Sequence, residues 1–171
     1  PLTILHHNDS HGNLAKGTYV GFTQLATLIK QERLHNPDRT LLLNAGDQIQ
    51  GDAMMYYFKD AGDGFASDGT VLPPTLQVNP IIAVMNAMNY TAMTLGNHEF
   101  NFGSKVFVDI FTQANFPILG ANVSDDGRYG INKVSGYAAD SPVVNVRDSL
   151  SLTLPYGTAT SLKVAILGIT N

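Results

Sequence analysis

Five side chains in this sequence could hold divalent cations: Asp9, His11, Asp47, Asn97 and His98. They lie in three short stretches, Asn8-Asp9-Ser10-His11-Gly12, Asn44-Ala45-Gly46-Asp47-Gln48-Ile49-Gln50-Gly51 and Thr94-Leu95-Gly96-Asn97-His98-Glu99-Phe100-Asn101. Imidazole nitrogens with carboxylate and amide oxygens suit Zn, Mn, Fe or Co, and a carboxylate such as Asp47 can bridge two ions. The chain has no cysteine, which excludes disulfides, thiolate zinc sites and cysteine nucleophiles. Each stretch alone has a bland reading: Asp-x-His is common, Gly-Asp is ordinarily a turn, and Gly-Asn-His-Glu fits a plain loop as well as a site. The three in order, each closing an apolar run, carry the signal.

The elements that must position them follow from periodicity. Residues 2–8 read as a first strand, 40–44 as a second and 91–95 as a third, each breaking on glycine just where the chain must turn. Asp-x-His spacing then puts Asp9 and His11 on one face, with His7 sharing it by parity and His6 opposite. Both of those histidines read as structural. Residues 22–34 read as a helix with Leu25, Leu28 and Ile29 as its apolar stripe, stopped at Asn36-Pro37, with His35 exposed at the frayed end. A short helix is expected over 53–58 and a long flexible rim loop over 59–79. Its Asp60, Asp63 and Asp68 do not match a calcium-loop pattern. Pro80 opens a helix that buries Ile81, Ile82, Val84, Met85 and Met88. Another helix spans 104–114, with Val106, Phe107, Ile110 and Phe111 inward. Strands are expected at 117–123, 142–146 and 162–170, with a short one at 149–154. Strand and helix in alternation predict an α/β fold with right-handed crossovers, in which sites sit at strand ends.

Length and composition bound the function. A chain of 171 residues makes about one domain with a sizeable core. Charged residues are 14% of it, against roughly 25% in an average protein, which suits buried strands and argues against disorder. The net charge of −4 provides no basic surface for a nucleic-acid polymer or anionic lipid. An acidic protein that handles phosphate needs positive charge from bound cations. No apolar run approaches the ~20 residues of a membrane span. The chain opens on Pro1 with no signal peptide, as a processed or cut form would. Two glycosylation sequons, at Asn89 and Asn122, carry little weight. The phosphate loop of kinases and GTPases and the G-x-S-x-G elbow of serine hydrolases are both absent.

The ordered motifs LHHNDSHG, LNAGDQIQG and TLGNHEFNFG resemble the D-x-H, GD and GNH[DE] pattern of calcineurin-like metallophosphoesterases. The form is most similar to the branch of 5′-nucleotidases and 2′,3′-cyclic-nucleotide phosphodiesterases. The resemblance runs from Thr3 to Thr170 and implies the first half of an α/β/β/α sandwich. It further implies two divalent metal ions, with Asp9 and His11 on the first, Asp47 bridging, and Asn97 on the second through its amide oxygen. His98, a non-ligand in the family, would bind the phosphate or protonate the leaving oxygen, with Asn97 also at the substrate and Glu99, Phe100 and Asn101 shaping the loop. The substrate would be a nucleotide or other small phosphoester. The location implied is periplasmic, secreted or cell-surface, and the role is nucleotide catabolism.

The sequence departs from this pattern twice. Where many 5′-nucleotidases carry an Asp paired with the histidine, this chain has Asn101, as the cyclic-nucleotide branch does. An amide cannot supply charge, so an imidazolium at His98 is less favoured. The family also completes its metal site with later histidines, including a G-H-x-H motif. Here the five histidines are at 6, 7, 11, 35 and 98, with none beyond. The whole chain, 1–171, is thus expected to be the N-terminal portion of a catalytic domain, the second half either lying in another chain or fragment or cut away, with no nucleotide-recognition domain. Two other readings stay open: a phosphatase-like binding or interaction module without catalysis, and a related thiosulfohydrolase.

Overall fold

A computed structural model describes residues 1–15, 21–132, 144–156 and 160–171. The strands are β1 (Thr3–His7), β2 (Thr40–Asn44), β3 (Ala92–Thr94), β4 (Ile118–Leu119), β5 (Ile131–Asn132), β6 (Val144–Arg147), β7 (Ser149–Tyr156) and β8 (Thr160–Leu167). The helices are α1 (Phe22–His35), α2 (Ala53–Tyr57), α3 (Pro80–Ala87) and α4 (Gly103–Phe111). Six strands form one sheet in the order β1-β2-β3-β4-β6-β5, every neighbouring pair parallel. β7 and β8 form a separate antiparallel hairpin. This is the expected α/β architecture.

The first four strands lie side by side in chain order. Crossovers of one hand therefore carry α1, α3 and α4 to the same face. The core on that face joins Phe22 and Ile29 of α1, Ile81, Ile82 and Met85 of α3 and Val106, Phe107, Ile110 and Phe111 of α4 to Leu42, Met93, Ile118 and Val146 of the sheet. Each such side chain contributes roughly 1.5–3 kcal/mol on full burial. The α3 and α4 faces are as expected. In α1 the stripe is instead Phe22, Leu25, Ala26 and Ile29, and Leu28 is exposed. Spacing of i, i+3, i+4 and i+7 from Phe22 makes one face, and Leu28 falls off its edge.

On the opposite face Leu43, Ala92, Thr94 and Leu119 share a cavity of about 180 Å³ with Ile166 of the hairpin. The hairpin alternates strictly: Leu150, Leu152, Leu154, Leu162, Val164 and Ile166 turn to one side and remain half-buried, while Ser151, Thr153 and Lys163 are exposed. Its first strand runs on to Tyr156, past the expected end at 154, and its second spans Thr160–Leu167 where 162–170 was expected. Two other boundaries also move. β4 stops at Leu119, and of the strand expected at 142–146 the first two residues lie outside the described ones. The 59–79 stretch, expected as a flexible loop, carries two one-turn 3-10 helices and a small core of Ala61, Ala66 and Leu72. Lys59 pairs with Asp60, Lys105 with Asp63, and the Asp68 carboxylate accepts from the Thr70 backbone N–H. No helix among the described residues is long and apolar enough to cross a membrane.

Candidate active site

β1, β2 and β3 end side by side, and the segments that leave them meet at the C-terminal edge of the sheet. β1 stops at His7, so Asp9 and His11 are not strand residues sharing a face. Their φ angles are 50° and 48°, and Asp47 in the next loop has 57°. Asn89 is the other non-glycine residue in this left-handed region among those described. Asp, Asn and His tolerate it better than most types, yet each residue so held costs on the order of 1 kcal/mol or more. Three of the four fall on anticipated ligand positions.

Backbone pairing enforces these conformations. Asp9 N–H donates to the Gly46 carbonyl at 3.1 Å, His11 N–H to that of Asp47 at 3.0 Å, and Asp52 N–H to that of His11 at 2.8 Å. The loops after β1 and β2 are thereby zipped together beyond the strands. The loop after β3 joins through Glu99, a side chain with no exposed surface. Its carboxylate accepts from Asp47 N–H at 2.8 Å, Gln48 N–H at 2.6 Å and Gly96 N–H at 2.6 Å. Burial pushes that carboxyl above the usual range; the three N–H donors pull it back. In return Asp47 Oδ1 accepts from His98 N–H at 2.9 Å. Glycine is required where the loops touch: a Cβ on Gly96 would sit 2.3 Å from Asp47 Oδ1, and one on Gly46 only 2.4 Å from Gly96 N.

The result is a convergence of three side chains. A nitrogen of His11, a nitrogen of His98 and a carboxylate oxygen of Asp47 lie within 4.8 Å of one another. The His11 and His98 rings meet edge to face, 5.1 Å between centroids. His11 Nδ1 is 2.7 Å from the Gln50 carbonyl, and His98 Nδ1 is 2.6 Å from Gln50 Oε1. Asn101 Nδ2 donates to the same Gln50 oxygen at 2.6 Å. Asp9 and Asn97 are not in the trio. The exposed Asp9 carboxylate accepts from Asn8 Nδ2 at 2.5 Å, and Asn97 lies exposed at the start of its loop.

Of the other histidines His35 is exposed as expected, but His7 does not share a face with Asp9 and His11, because β1 ends before them. His6 is exposed on the hairpin side of β1, and His35 is exposed beside Glu32. His7 turns to the helix face, where its Nε2 lies 2.5 Å from the Tyr90 hydroxyl. Burial, then the neighbouring His6, lowers its pKa to about 4. Two positioning residues were not legible as such: Gln50, which reaches both site imidazoles, and Glu99, which ties the loops after β2 and β3. For Glu99 the resemblance implied only that it shapes the loop, and its bonds to the loop after β2 went unread. Gln50 carried no signal, since nothing in residue type separates it from Gln48, which is wholly buried and donates to the Gly46 carbonyl at 2.5 Å.

Residues 2–158 match the family described as calcineurin-like phosphoesterase. A snake venom 5′-nucleotidase of Gloydius brevicauda is 34% identical over 157 residues, covering 85% of this chain and 23% of its own. A 2′,3′-cyclic-nucleotide 2′-phosphodiesterase/3′-nucleotidase of Haemophilus influenzae is 41% identical over 134 residues, 74% of this chain and 19% of its own. Among solved structures, the calcineurin-like phosphoesterase YfkN of Bacillus subtilis superposes with a TM-score of 0.70 at 30% identity, covering 99% of this chain and 48% of that one. The chain thus spans less than a quarter of the length of these two sequence relatives and about half of that solved chain.

Proposed function

The chain belongs to the calcineurin-like phosphoesterase family, and we propose that it forms the N-terminal part of a metal-dependent hydrolase of nucleotide phosphate esters. The substrates are 5′-mononucleotides or 2′,3′-cyclic nucleotides, met outside the cytoplasm. The observation that carries this reading is the convergence of His11, Asp47 and His98 from three separate strand-end loops, the first two zipped by backbone hydrogen bonds and the third tied to the second through the side chains of Glu99 and Asp47. The imidazole of His11 and the carboxylate of Asp47 fit a divalent cation of the Zn, Mn, Fe or Co type, with His98 beside them. Asp9 and His11 would hold one ion, Asp47 would bridge, and Asn97 would serve the second. Asp9 must leave Asn8 to take that role. Two such ions acidify water and neutralise charge on phosphoryl oxygens in an in-line displacement.

The protein's own groups do the rest. Glu99 holds the Asp47 backbone so that its carboxylate faces both histidines. His98, on the rim of the cluster, binds the phosphate or gives its proton to the leaving oxygen, and Asn101 closes the loop beside it. The half-buried apolar side of the β7–β8 hairpin supports the domain reading, because a second layer of sheet and helix would cover it. The test is release of inorganic phosphate from 5′-AMP and 2′,3′-cyclic AMP with Mn or Zn added. It is run on this chain and on this chain joined to a partner segment carrying the G-H-x-H motif. Metal-dependent release, lost in Asp47→Ala, is expected from the joined form. No release from either form overturns the reading.

A further inference from the structure

We infer that Gln50 is the positioning residue for both imidazoles of the site, His11 through its backbone carbonyl and His98 through its side-chain carbonyl. A neutral imidazole carries one N–H and one lone pair, and an oxygen acceptor at Nδ1 fixes the hydrogen there and the lone pair at Nε2. Both rings meet such an oxygen from one residue, at 2.7 Å for His11 and 2.6 Å for His98. Gln50 therefore gives both rings the same tautomer and turns both Nε2 atoms to the cluster, where that of His11 offers its lone pair to an ion and that of His98 takes up the proton it then gives to a phosphate or leaving oxygen.

The amide of Gln50 is itself held at both ends. Its Nε2 lies 3.1 Å from the Tyr56 hydroxyl, and Tyr56 packs edge to face on Phe102 at 5.1 Å. Its Oε1 takes the Asn101 amide at 2.6 Å as well as the His98 ring. Asn101 Nδ2 also comes within 2.8 Å of His98 Nδ1. Two N–H groups so close are compatible when both point into one carbonyl oxygen, and Gln50 supplies it. Asn101 need not be acidic here, because the acceptor for His98 comes from the loop after β2. For catalysis this inference rests on the role proposed above for His98.

Long-range ¹H–¹⁵N NMR of the metal-free chain in alkaline buffer reads the tautomers directly. The Nδ1–H form is expected for both His11 and His98. In Gln50→Ala, His98 should lose it and His11, bonded to the backbone, should keep it; Gln50→Glu should restore it at His98. A His98 already in the Nε2–H form, or one unchanged in Gln50→Ala, overturns the inference. So does an equal change at His11 that Gln50→Glu fails to reverse, since that reports a disturbed fold. The tautomers are read without substrate or metal. Absent hydrolysis thus overturns the functional reading and leaves the assignment of Gln50 standing.

Discussion

Glu99 holds the site together through hydrogen bonds that no apolar contact could replace. Its oxygens receive three backbone N–H groups from two loops in a place without solvent. In Glu99→Gln one acceptor oxygen becomes an NH₂ facing those donors, and a buried donor without a partner costs about 1–3 kcal/mol. Chemical denaturation of that variant should show a loss of about 3 kcal/mol, and a loss below about 1 would mean the loops are held by other means. His7 gives a stability effect of opposite character, set by pH. Its folded pKa is lowered from 6.5 to about 4 by burial, then by His6. The unfolded chain therefore binds the proton more tightly, and stability present above pH 6.5 is lost as pH falls toward 4. The loss is at most about 3 kcal/mol. Unfolding midpoints measured across that window, in the wild type against His7→Gln, should converge as pH falls; parallel curves would refute the coupling.

Strand-end glycines decide whether the loops can meet at all. Gly96 lies against the Asp47 carboxylate and backbone, closer than any Cβ allows. Gly96→Ala should push the β2 and β3 loops apart and weaken zinc affinity by more than tenfold, with the helical signal in circular dichroism retained. Unchanged affinity would show that Asp47 can move without consequence. The elements themselves were largely legible. β2 and β3 are apolar runs bounded by turn residues, and α3 and α4 turn inward the five- and four-residue stripes their spacing announced. The path beyond β1 was not. Asp-x-His spacing put Asp9 and His11 on one face, and only the loop's bonds to Gly46 and Asp47, residues remote in sequence, force the left-handed turns. The first strand of the hairpin was underread because Pro155 and Tyr156 mask its length, although Leu150, Leu152 and Leu154 alternate plainly. Motif residues announced Asp47, His11 and His98; Gln50 could not be found, since its importance lies in what it reaches.

Taken whole, the molecule places helices on one face of a parallel sheet, a hairpin on the other, and acidic and imidazole groups along one edge. The chain's net charge is −4, so a cation entering that edge meets a field that favours it. Binding to the folded state alone stabilises it by RT ln(1 + [L]/Kd), about 2.7 kcal/mol at a hundredfold excess over Kd. For a domain of this size that is a rise in Tm of about 5–10 °C. Zinc or manganese should produce it in thermal unfolding of the wild type. Asp47→Ala should abolish the shift, because it removes the oxygen between the two imidazoles. His35→Ala should preserve it, since His35 is exposed beside Glu32 at the end of α1 and outside the His11, Asp47 and His98 group. A shift that survives Asp47→Ala would place the bound ion elsewhere on the molecule and remove the basis for treating this edge as its centre.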